Sequence, residues 1–217
     1  AVRIADAAFT HILSYLRPGL EERQVAAELE QRMRCLGSER PAFDTIVASG
    51  VRGALPHGVA SEKKLALGEW VTMDFGAVYR GYHSDITRTV CLGPATDQQK
   101  AAYALVLAAQ KAGVAAIRPG RLGCEIDAVA RAILTAAGYG DYFGHGLGHS
   151  LGLAIHEEPR LSSLNTQQAL QENMVVTVEP GIYLPGQYGI RIEDTVRVSD
   201  AGAVILTESD KELIEIA

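Results

Sequence analysis

Cysteine is scarce in this sequence, and its three cysteines are far apart. Cys35, Cys91 and Cys124 form no Cys-x-x-Cys motif, and an odd number cannot pair completely within one chain. This usage argues against a disulfide framework and favours the reducing cytoplasm as the compartment.

Long apolar runs and an excess of positive charge are also missing. No segment approaches the roughly 20 apolar residues that span a bilayer, and the first residues lack the pattern of a secretory signal. The formal net charge is −6, without a basic stripe that could neutralise phosphates. We therefore expect neither a membrane nor a nucleic acid as partner.

A length of 217 residues, 47% of them hydrophobic, suits one large domain or two small halves.

The most informative stretch is Gly144–Glu158, with the sequence GHGLGHSLGLAIHEE. It contains His145, His149 and His156, separated by glycines that each cost a helix about 1 kcal/mol, so we expect a loop. Glycine lets a backbone approach a ligand closely, and imidazole is a common metal ligand and acid–base group. A lone histidine more often makes only structural hydrogen bonds, but three together predict a functional site.

Two acids belong to a predicted hairpin before this stretch. Trp70–Phe75 and Ile86–Val90 alternate apolar and polar residues as strands do, and Tyr79–Tyr82 supplies a turn between them. The midpoint of Asp74 and Asp85 falls in that turn, so the hairpin would place the two carboxylates opposite each other. Like charges in this position destabilise a strand pair unless a cation neutralises them.

A second acidic hairpin is predicted after the histidine stretch. Met174–Glu179 and Ile190–Val198 have the pattern of paired strands, and Pro185–Gln187 supplies the turn. The midpoint of Glu179 and Glu193 again falls in the turn, so these two acids should also face each other.

Helical spacing of apolar residues predicts two helices before each hairpin. They cover residues 1–16, Val25–Leu36, the stretch from a Thr96–Gln99 capping box to about Ile117, and about Glu125 to Ala137.

Short motifs repeat about a hundred residues apart. The Arg-Pro-Gly of residues 17–19 recurs at 118–120, VTMDFG of residues 71–76 recurs as VTVEPG at 176–181, and SDIT of residues 84–87 recurs as IEDT at 192–195. We infer an α+β fold of two similar halves, about 1–95 and 96–217. We expect one curved antiparallel sheet with outer helices, and the four acids converging where the halves join.

Four carboxylates and one imidazole exceed the needs of one tetrahedral zinc site. They suit two divalent ions about 3.5–4 Å apart, which can lower the pKa of a shared water toward about 7. Oxygen ligands with one nitrogen point to Mn, Co, Fe or Zn. The pattern therefore predicts a hydrolase that needs no serine or cysteine nucleophile.

Four segments closely resemble the signature motifs of the pita-bread metallopeptidases. They are MDFGAVYRGYHSDITRT, GHGLGHSLGLAIHEEP, TVEPGIYLP and GIRIEDT, and the match covers nearly the whole chain. The resemblance implies the pita-bread (creatinase/aminopeptidase-like) fold and a pair of metal ions, with manganese first and cobalt, zinc or iron as alternatives. The ligands that it implies are Asp74, Asp85, His149, Glu179 and Glu193, with Asp85 and Glu193 bridging.

Further residues resemble the Xaa-Pro aminopeptidase and prolidase branch of that family. His57 lies 17 residues before Asp74, and His145 lies four before His149. The resemblance implies that His57 and His156 bind substrate and stabilise the tetrahedral intermediate, that His145, Tyr183 and Arg191 hold the substrate or the site's geometry, and that Glu179 also shuttles a proton.

The implied activity is a dinuclear exopeptidase that cleaves the Xaa-Pro bond of a small peptide, with proline second, through a metal-bridging hydroxide. Three alternatives stay open: methionine aminopeptidase activity, a metal-free creatinase-like hydrolase, and a non-catalytic peptide-binding module. Members of the branch usually carry a separate N-terminal domain, whereas this chain starts at Ala1, where the catalytic domain would start. We therefore expect a single catalytic domain, possible as a monomer or a homodimer.

Overall fold

The computed structural model describes residues 1–217 and contains four α-helices, which pack as two pairs. They are α1 (Val2–Tyr15), α2 (Glu22–Cys35), α3 (Asp97–Ala116) and α4 (Gly123–Ala136). Each begins and ends within three residues of its predicted bounds, and the Thr96–Gln99 capping box is formed. Short 3₁₀ turns cover Gly50–Ala54 and Gly140–Tyr142. None of the helices has the length and apolar composition needed to cross a bilayer.

The remaining elements are short strands. Their bounds are β1 (Arg40–Pro41), β2 (Ile46–Ser49), β3 (Trp70–Phe75), β4 (Ala77–Tyr79), β5 (Tyr82–His83), β6 (Ile86–Leu92), β7 (Gly148–Ser150), β8 (Glu157–Leu161), β9 (Val175–Val178), β10 (Gly181–Leu184), β11 (Tyr188–Arg191), β12 (Asp194–Ser199), β13 (Gly202–Ile205) and β14 (Glu215–Ile216).

Hydrogen bonding divides these strands into two main sheets rather than one continuous sheet. The first has the order β14-β6-β3-β2 and the second β13-β12-β9-β7-β8, with two small sheets, β1-β4-β5 and β10-β11, beside them. Helices α1 and α2 pack on the first sheet through a core that includes Phe9 and Phe75. Helices α3 and α4 pack on the second through Val106 and Val178. Each half therefore has its own apolar core, as expected for the α+β pita-bread fold.

The repeated Arg-Pro-Gly motif makes the same backbone contacts in both halves. Gly19 and Gly120 have φ angles of +90° and +82°, in the left-handed region that favours glycine. The Gly19 N–H donates to Leu65 O, and the Gly120 N–H donates to Leu170 O, each at 2.8 Å. The sequence repeat thus corresponds to a structural repeat at the start of α2 and α4.

The first acidic hairpin has a different register from the predicted one. Asp74 on β3 lies opposite Thr87 on β6, not opposite Asp85. The reason is the turn: Arg80 and Gly81 both have positive φ, +52° and +80°, which is the conformation of a two-residue type I′ turn. The centre of the turn therefore lies one residue later than predicted, so each residue of β3 pairs with a residue two positions further along the chain. Because a shift of two residues preserves the alternation of faces, both acids remain on the same face.

The second acidic hairpin has the predicted register but not the predicted continuity. Asp194 pairs with Val178, so Glu193 and Glu179 face each other just beyond the ladder. The strand predicted over Ile190–Val198 is instead divided into β11 and β12, with Glu193 in the gap between them.

The histidine stretch is only partly a loop. His149 lies on β7, contrary to the prediction, whereas His145 and His156 lie outside regular elements. The strand is possible because Gly148 packs directly on β9, where an added Cβ would lie 2.1 Å from Thr177 O.

The C-terminal residues cross the expected boundary between the halves. Strand β14 pairs in parallel with β6, so that Glu215 lies opposite Cys91. The first sheet is thus completed by a segment from the second half of the sequence.

Candidate metal centre

Three of the predicted acids meet where the halves join. Asp74 is near the end of β3, Asp85 directly precedes β6, and Glu193 occupies the gap between β11 and β12. One carboxylate oxygen of each lies within 4.8 Å of the others, and all three side chains are buried. Asp74 is paired within the β3–β6 ladder, whereas Asp85 and Glu193 lie outside the strands, and the three carboxylates project into a common space.

His149 and Glu179 complete the cluster from the second half. His149 Nε2 lies 3.4 Å from Asp85 Oδ2 and 3.4 Å from Glu179 Oε1. His149 Nδ1 lies 3.0 Å from Ser150 O, and a proton on Nδ1 satisfies this carbonyl. The Nε2 lone pair then points at two carboxylates, an arrangement that a shared cation would stabilise.

Whether cations fit the cluster can be judged from its buried oxygens, some of which have no hydrogen-bond partner. Asp74 Oδ1 and Glu193 Oε1 are buried and have no hydrogen-bond partner. Burial, followed by repulsion from neighbouring carboxylates, raises the pKa of Asp85 and of Glu193 well above the ordinary value. Burial also raises the pKa of Asp74, although Arg191 opposes the shift. Divalent cations would supply the missing partners and remove the repulsion, so the donor set fits them.

Two threonine hydroxyls orient the glutamates. Thr87 Oγ1 donates to Glu193 Oε2 at 2.7 Å, and Thr177 Oγ1 donates to Glu179 Oε1 at 3.0 Å. Neither threonine was predicted as a functional residue. Both lie in the repeated motifs, at positions equivalent to Thr195 and Thr72, so the repeat contained a signal that could have found them.

Arg191, Tyr183 and His145 form a hydrogen-bonded chain beside the acids. Arg191 Nη2 donates to Asp74 Oδ2 at 2.6 Å, and its Nη1 donates to Tyr183 Oη at 2.8 Å. Tyr183 Oη lies 2.7 Å from His145 Nε2, and His145 Nδ1 lies 2.8 Å from Gly146 O. Because the tyrosine oxygen accepts from Arg191, its proton is directed at His145. Burial lowers the pKa of His145 and so favours the neutral ring that accepts this proton.

A cleft of about 690 Å³ opens over the acids. Its lining includes four of the five predicted ligands, with Glu193 behind them, and also includes His57, His145, His156 and Arg191. Tyr183 is not part of the lining, so it contacts the cleft only through its two partners. Phe43, Asp44, Arg160 and Ser162 also line the cleft, and none of them was predicted.

The two exposed histidines reach the cleft from separate segments. His156 packs edge-to-face on His149, with ring centroids 4.4 Å apart. His57 follows Pro56, whose carbonyl accepts a hydrogen bond from Arg191 Nη1 at 3.1 Å. Both rings therefore lie at the mouth of the cleft rather than in the acid cluster.

Comparison with known proteins decides the family. The model of Metallopeptidase family M24 matches residues 1–200. The chain is 50% identical to the Xaa-Pro dipeptidase of Pyrococcus furiosus over 214 residues, 99% of this chain and 61% of the relative. The chain belongs to metallopeptidase family M24.

Solved structures agree with this M24 assignment. An Xaa-Pro dipeptidase from Bacillus anthracis superposes with a TM-score of 0.97 at 53% identity, covering 99% of this chain and 60% of the other. An X-Pro aminopeptidase from Thermotoga maritima gives a TM-score of 0.97 at 45% identity, covering 100% and 61%. The pita-bread fold and the prolidase branch are thus confirmed. The chain spans about three-fifths of the length of the relatives that it matches.

Proposed function

We propose that this M24 protein is an exopeptidase that binds two divalent cations and hydrolyses Xaa-Pro peptide bonds. The observation that carries the proposal is the convergence of Asp74, Asp85 and Glu193, with His149 and Glu179 beside them, on a space where buried oxygens have no partner. The names of the relatives support the substrate class, since both a dipeptidase and an aminopeptidase of Xaa-Pro bonds are similar to this chain.

The donor set supports two cations rather than one. Asp85 has a carboxylate oxygen within 4.8 Å of Asp74 and of Glu193, and its Oδ2 lies 3.4 Å from His149 Nε2. Asp85 and Glu193 are therefore the candidates for bridging, with Asp74 on one side and His149 and Glu179 on the other. When bound, the cations would supply an activated water and polarise the scissile carbonyl. We propose manganese, with cobalt, zinc or iron as alternatives.

The protein's own side chains hold and protonate the reacting groups in this proposal. Glu179 is partly exposed to the cleft and is fixed by Thr177, so its carboxylate can accept the proton of the attacking water and return it to the leaving amine. The N–H groups of His57 and His156 stabilise the oxyanion from the mouth of the cleft. His145 and Arg191 orient the substrate, with Tyr183 as the link that aligns them.

Proline gives a physical reason for a dedicated enzyme. It has no N–H and its φ is fixed, so peptidases that bind substrate as an extended strand cannot seat the Xaa-Pro bond well. We propose a small peptide with proline second as substrate. The free cysteines, of which Cys91 is buried, support a reducing, cytoplasmic location.

Hydrolysis assays with matched variants test the proposal. The release of products is measured from Xaa-Pro dipeptides, longer Xaa-Pro peptides and Met-Ala peptides. Each substrate is tested with the metal-free protein and again after addition of Mn or Co. We expect release from Xaa-Pro substrates only with metal, and loss of release in Asp85→Asn and Glu193→Gln. Preference for Met-Ala would favour methionine aminopeptidase activity, metal-independent release would favour a creatinase-like hydrolase, and a protein that neither binds metal nor hydrolyses these peptides would favour a peptide-binding module.

We further propose that residues 1–217 form a single catalytic domain of two halves. Light scattering of the purified chain distinguishes a monomer from a homodimer.

A further inference from the structure

Glu193 is a predicted ligand that lies outside the strands on either side of it. It lies between the end of β11 at Arg191 and the start of β12 at Asp194, so no partner strand of its own sheet holds its peptide groups. Its N–H donates to Thr87 O at 3.2 Å, and its carbonyl accepts from Arg88 Nη1. The backbone of this ligand is thus held from the other half of the molecule.

Arg88 is a buried guanidinium in which every donor is used. Its side chain is 1% exposed, yet it lies outside the cleft and the proposed reaction assigns it no role. Nε donates to Asp210 O at 2.9 Å, and Nη2 donates to Ser209 O at 2.7 Å and Asp194 Oδ1 at 3.0 Å. Nη1 donates to Thr87 O at 3.0 Å and to Glu193 O. These five contacts use all five N–H groups of the planar fork and fix its orientation.

Asp194 accepts from Arg88 Nη2, the terminal nitrogen that does not bind Glu193. Its Oδ1 accepts from Thr207 Oγ1 at 2.8 Å as well as from Arg88, and its Oδ2 accepts from Gln110 Nε2 at 2.9 Å and from Lys211 Nζ. Helix α3 and the C-terminal segment therefore both anchor a carboxylate that directly follows Glu193 in sequence.

We propose that Arg88, anchored by Asp194, is a positioning residue that sets the direction of the Glu193 carboxylate in the metal centre. Arg88 holds the Glu193 carbonyl, while Thr87 holds the N–H of Glu193 through its own carbonyl and the carboxylate through its hydroxyl. Loss of the fork would let the gap between β11 and β12 relax, which moves a ligand without removing it. The inference rests on the proposed metal-dependent function, but its main readout is metal binding without substrate.

Arg88→Lys is the sharpest test. Lysine keeps a positive charge beside Asp194 but has three donors on one nitrogen instead of five in a fork, so the Glu193 carbonyl loses its partner. Affinity for Mn is measured by calorimetric titration of the metal-free full chain, well below its unfolding temperature. Lys111→Gln is the control, because Lys111 forms an exposed ion pair on α3 with Glu212.

We expect Arg88→Lys to weaken Mn binding by about 10–100-fold, the usual effect of removing a group that orients a metal ligand. The kcat for an Xaa-Pro peptide should fall while KM changes little, and excess Mn should restore kcat. Lys211→Met, which removes one partner of Asp194 from a partly exposed position, should give a smaller change in the same direction. If Arg88→Lys fails to fold, the Mn affinity of Lys211→Met still tests whether the Arg88–Asp194 pair positions Glu193.

A purely structural role predicts a different result. Both variants would then unfold at lower temperature than the Lys111→Gln control but bind Mn with unchanged affinity while folded, and this outcome would overturn the proposal. A wild-type protein that binds Mn but cleaves no Xaa-Pro peptide would contradict the proposed function, and the Mn titrations would still decide the role of Arg88.

Discussion

Thr87 Oγ1 lies 2.7 Å from Glu193 Oε2, and the two residues come from opposite halves of the molecule. The same hydroxyl accepts from Arg191 Nε at 3.1 Å. One threonine therefore fixes both a predicted metal ligand and the arginine that binds Asp74. The halves meet through polar contacts of this kind, which couple their alignment to the geometry of the site.

Replacing Thr87 by valine should weaken metal binding. The change keeps the shape of the side chain but removes the donor to Glu193, so a buried carboxylate oxygen loses its orienting partner. We expect Mn affinity to fall by about 10–100-fold, measured by calorimetric titration. Thr87→Ser keeps the hydroxyl and should bind Mn nearly as wild type does. Equal affinities for the two variants would show that the hydroxyl does not orient Glu193.

Tyr183→Phe should separate substrate orientation from metal binding. Removing the hydroxyl breaks the link between Arg191 and His145, so the imidazole can shift in the cleft. Small misplacements of this kind cost up to about 100-fold, and we expect kcat/KM on Xaa-Pro peptides to fall by roughly 10–100-fold at unchanged Mn stoichiometry. Tyr142→Phe is the control, since Tyr142 is on the surface. Loss of metal from Tyr183→Phe would contradict the assigned role.

Two glycines of the histidine stretch should differ sharply in their tolerance of alanine. A Cβ at Gly148 would lie 2.1 Å from Thr177 O, whereas a Cβ at Gly144 would meet nothing within 4 Å. Gly148→Ala must push β7 away from β9 and displace His149, so we expect a loss of more than about 2 kcal/mol in the free energy of unfolding. Gly144→Ala should change it by less than about 0.5 kcal/mol. Denaturant titration checks both, and similar values would refute the close approach.

Cations should stabilise the folded chain, and Asp85→Asn should remove this effect. Ligands that bind only the native state add about 2.7 kcal/mol at 100 times their Kd, so Mn should raise the Tm of the metal-free protein. Burial and the neighbouring acids raise the pKa of Asp85, which means that its charge opposes folding without metal. Asp85→Asn should therefore have a metal-free Tm at or above that of wild type, with little gain from Mn. Differential scanning calorimetry measures these Tm values. A metal-free Tm below that of wild type, together with a full gain from Mn, would contradict the prediction.

Local sequence signals predicted all four α-helices and, of the strands, β3, β6, β9 and the segment that divides into β11 and β12. The capping box at Thr96 fixed the start of α3, because its side chain satisfies the first helical N–H groups wherever the helix packs. The second hairpin has the predicted register because Gly186, with φ of +74°, lies at the centre of its loop. Alternation of apolar residues was sufficient for β3, since one face packs on the helices of its own half.

The errors arose where tertiary contacts decide the structure. Arg80 has a positive φ, which is uncommon for a residue other than glycine. The turn was therefore placed one residue too early, and the predicted register of the first hairpin was wrong. His149 lies on a strand because Gly148 lets β7 approach β9, and glycine content alone favours a loop. Arg88 could not be recognised as a site residue because its partner Glu193 lies 105 residues away in the sequence, whereas Thr87 was missed although the repeat contained a signal for it. The five proposed metal ligands were predicted from the acidic hairpins, the repeat and the family motifs.

Diffraction from a Mn-soaked crystal, recorded with anomalous scattering, tests the central claim most directly. We predict two anomalous peaks about 3.5–4 Å apart, with Asp85 and Glu193 contacting both, Asp74 contacting one, and His149 and Glu179 contacting the other. A single peak, or none among these five side chains, would contradict the account.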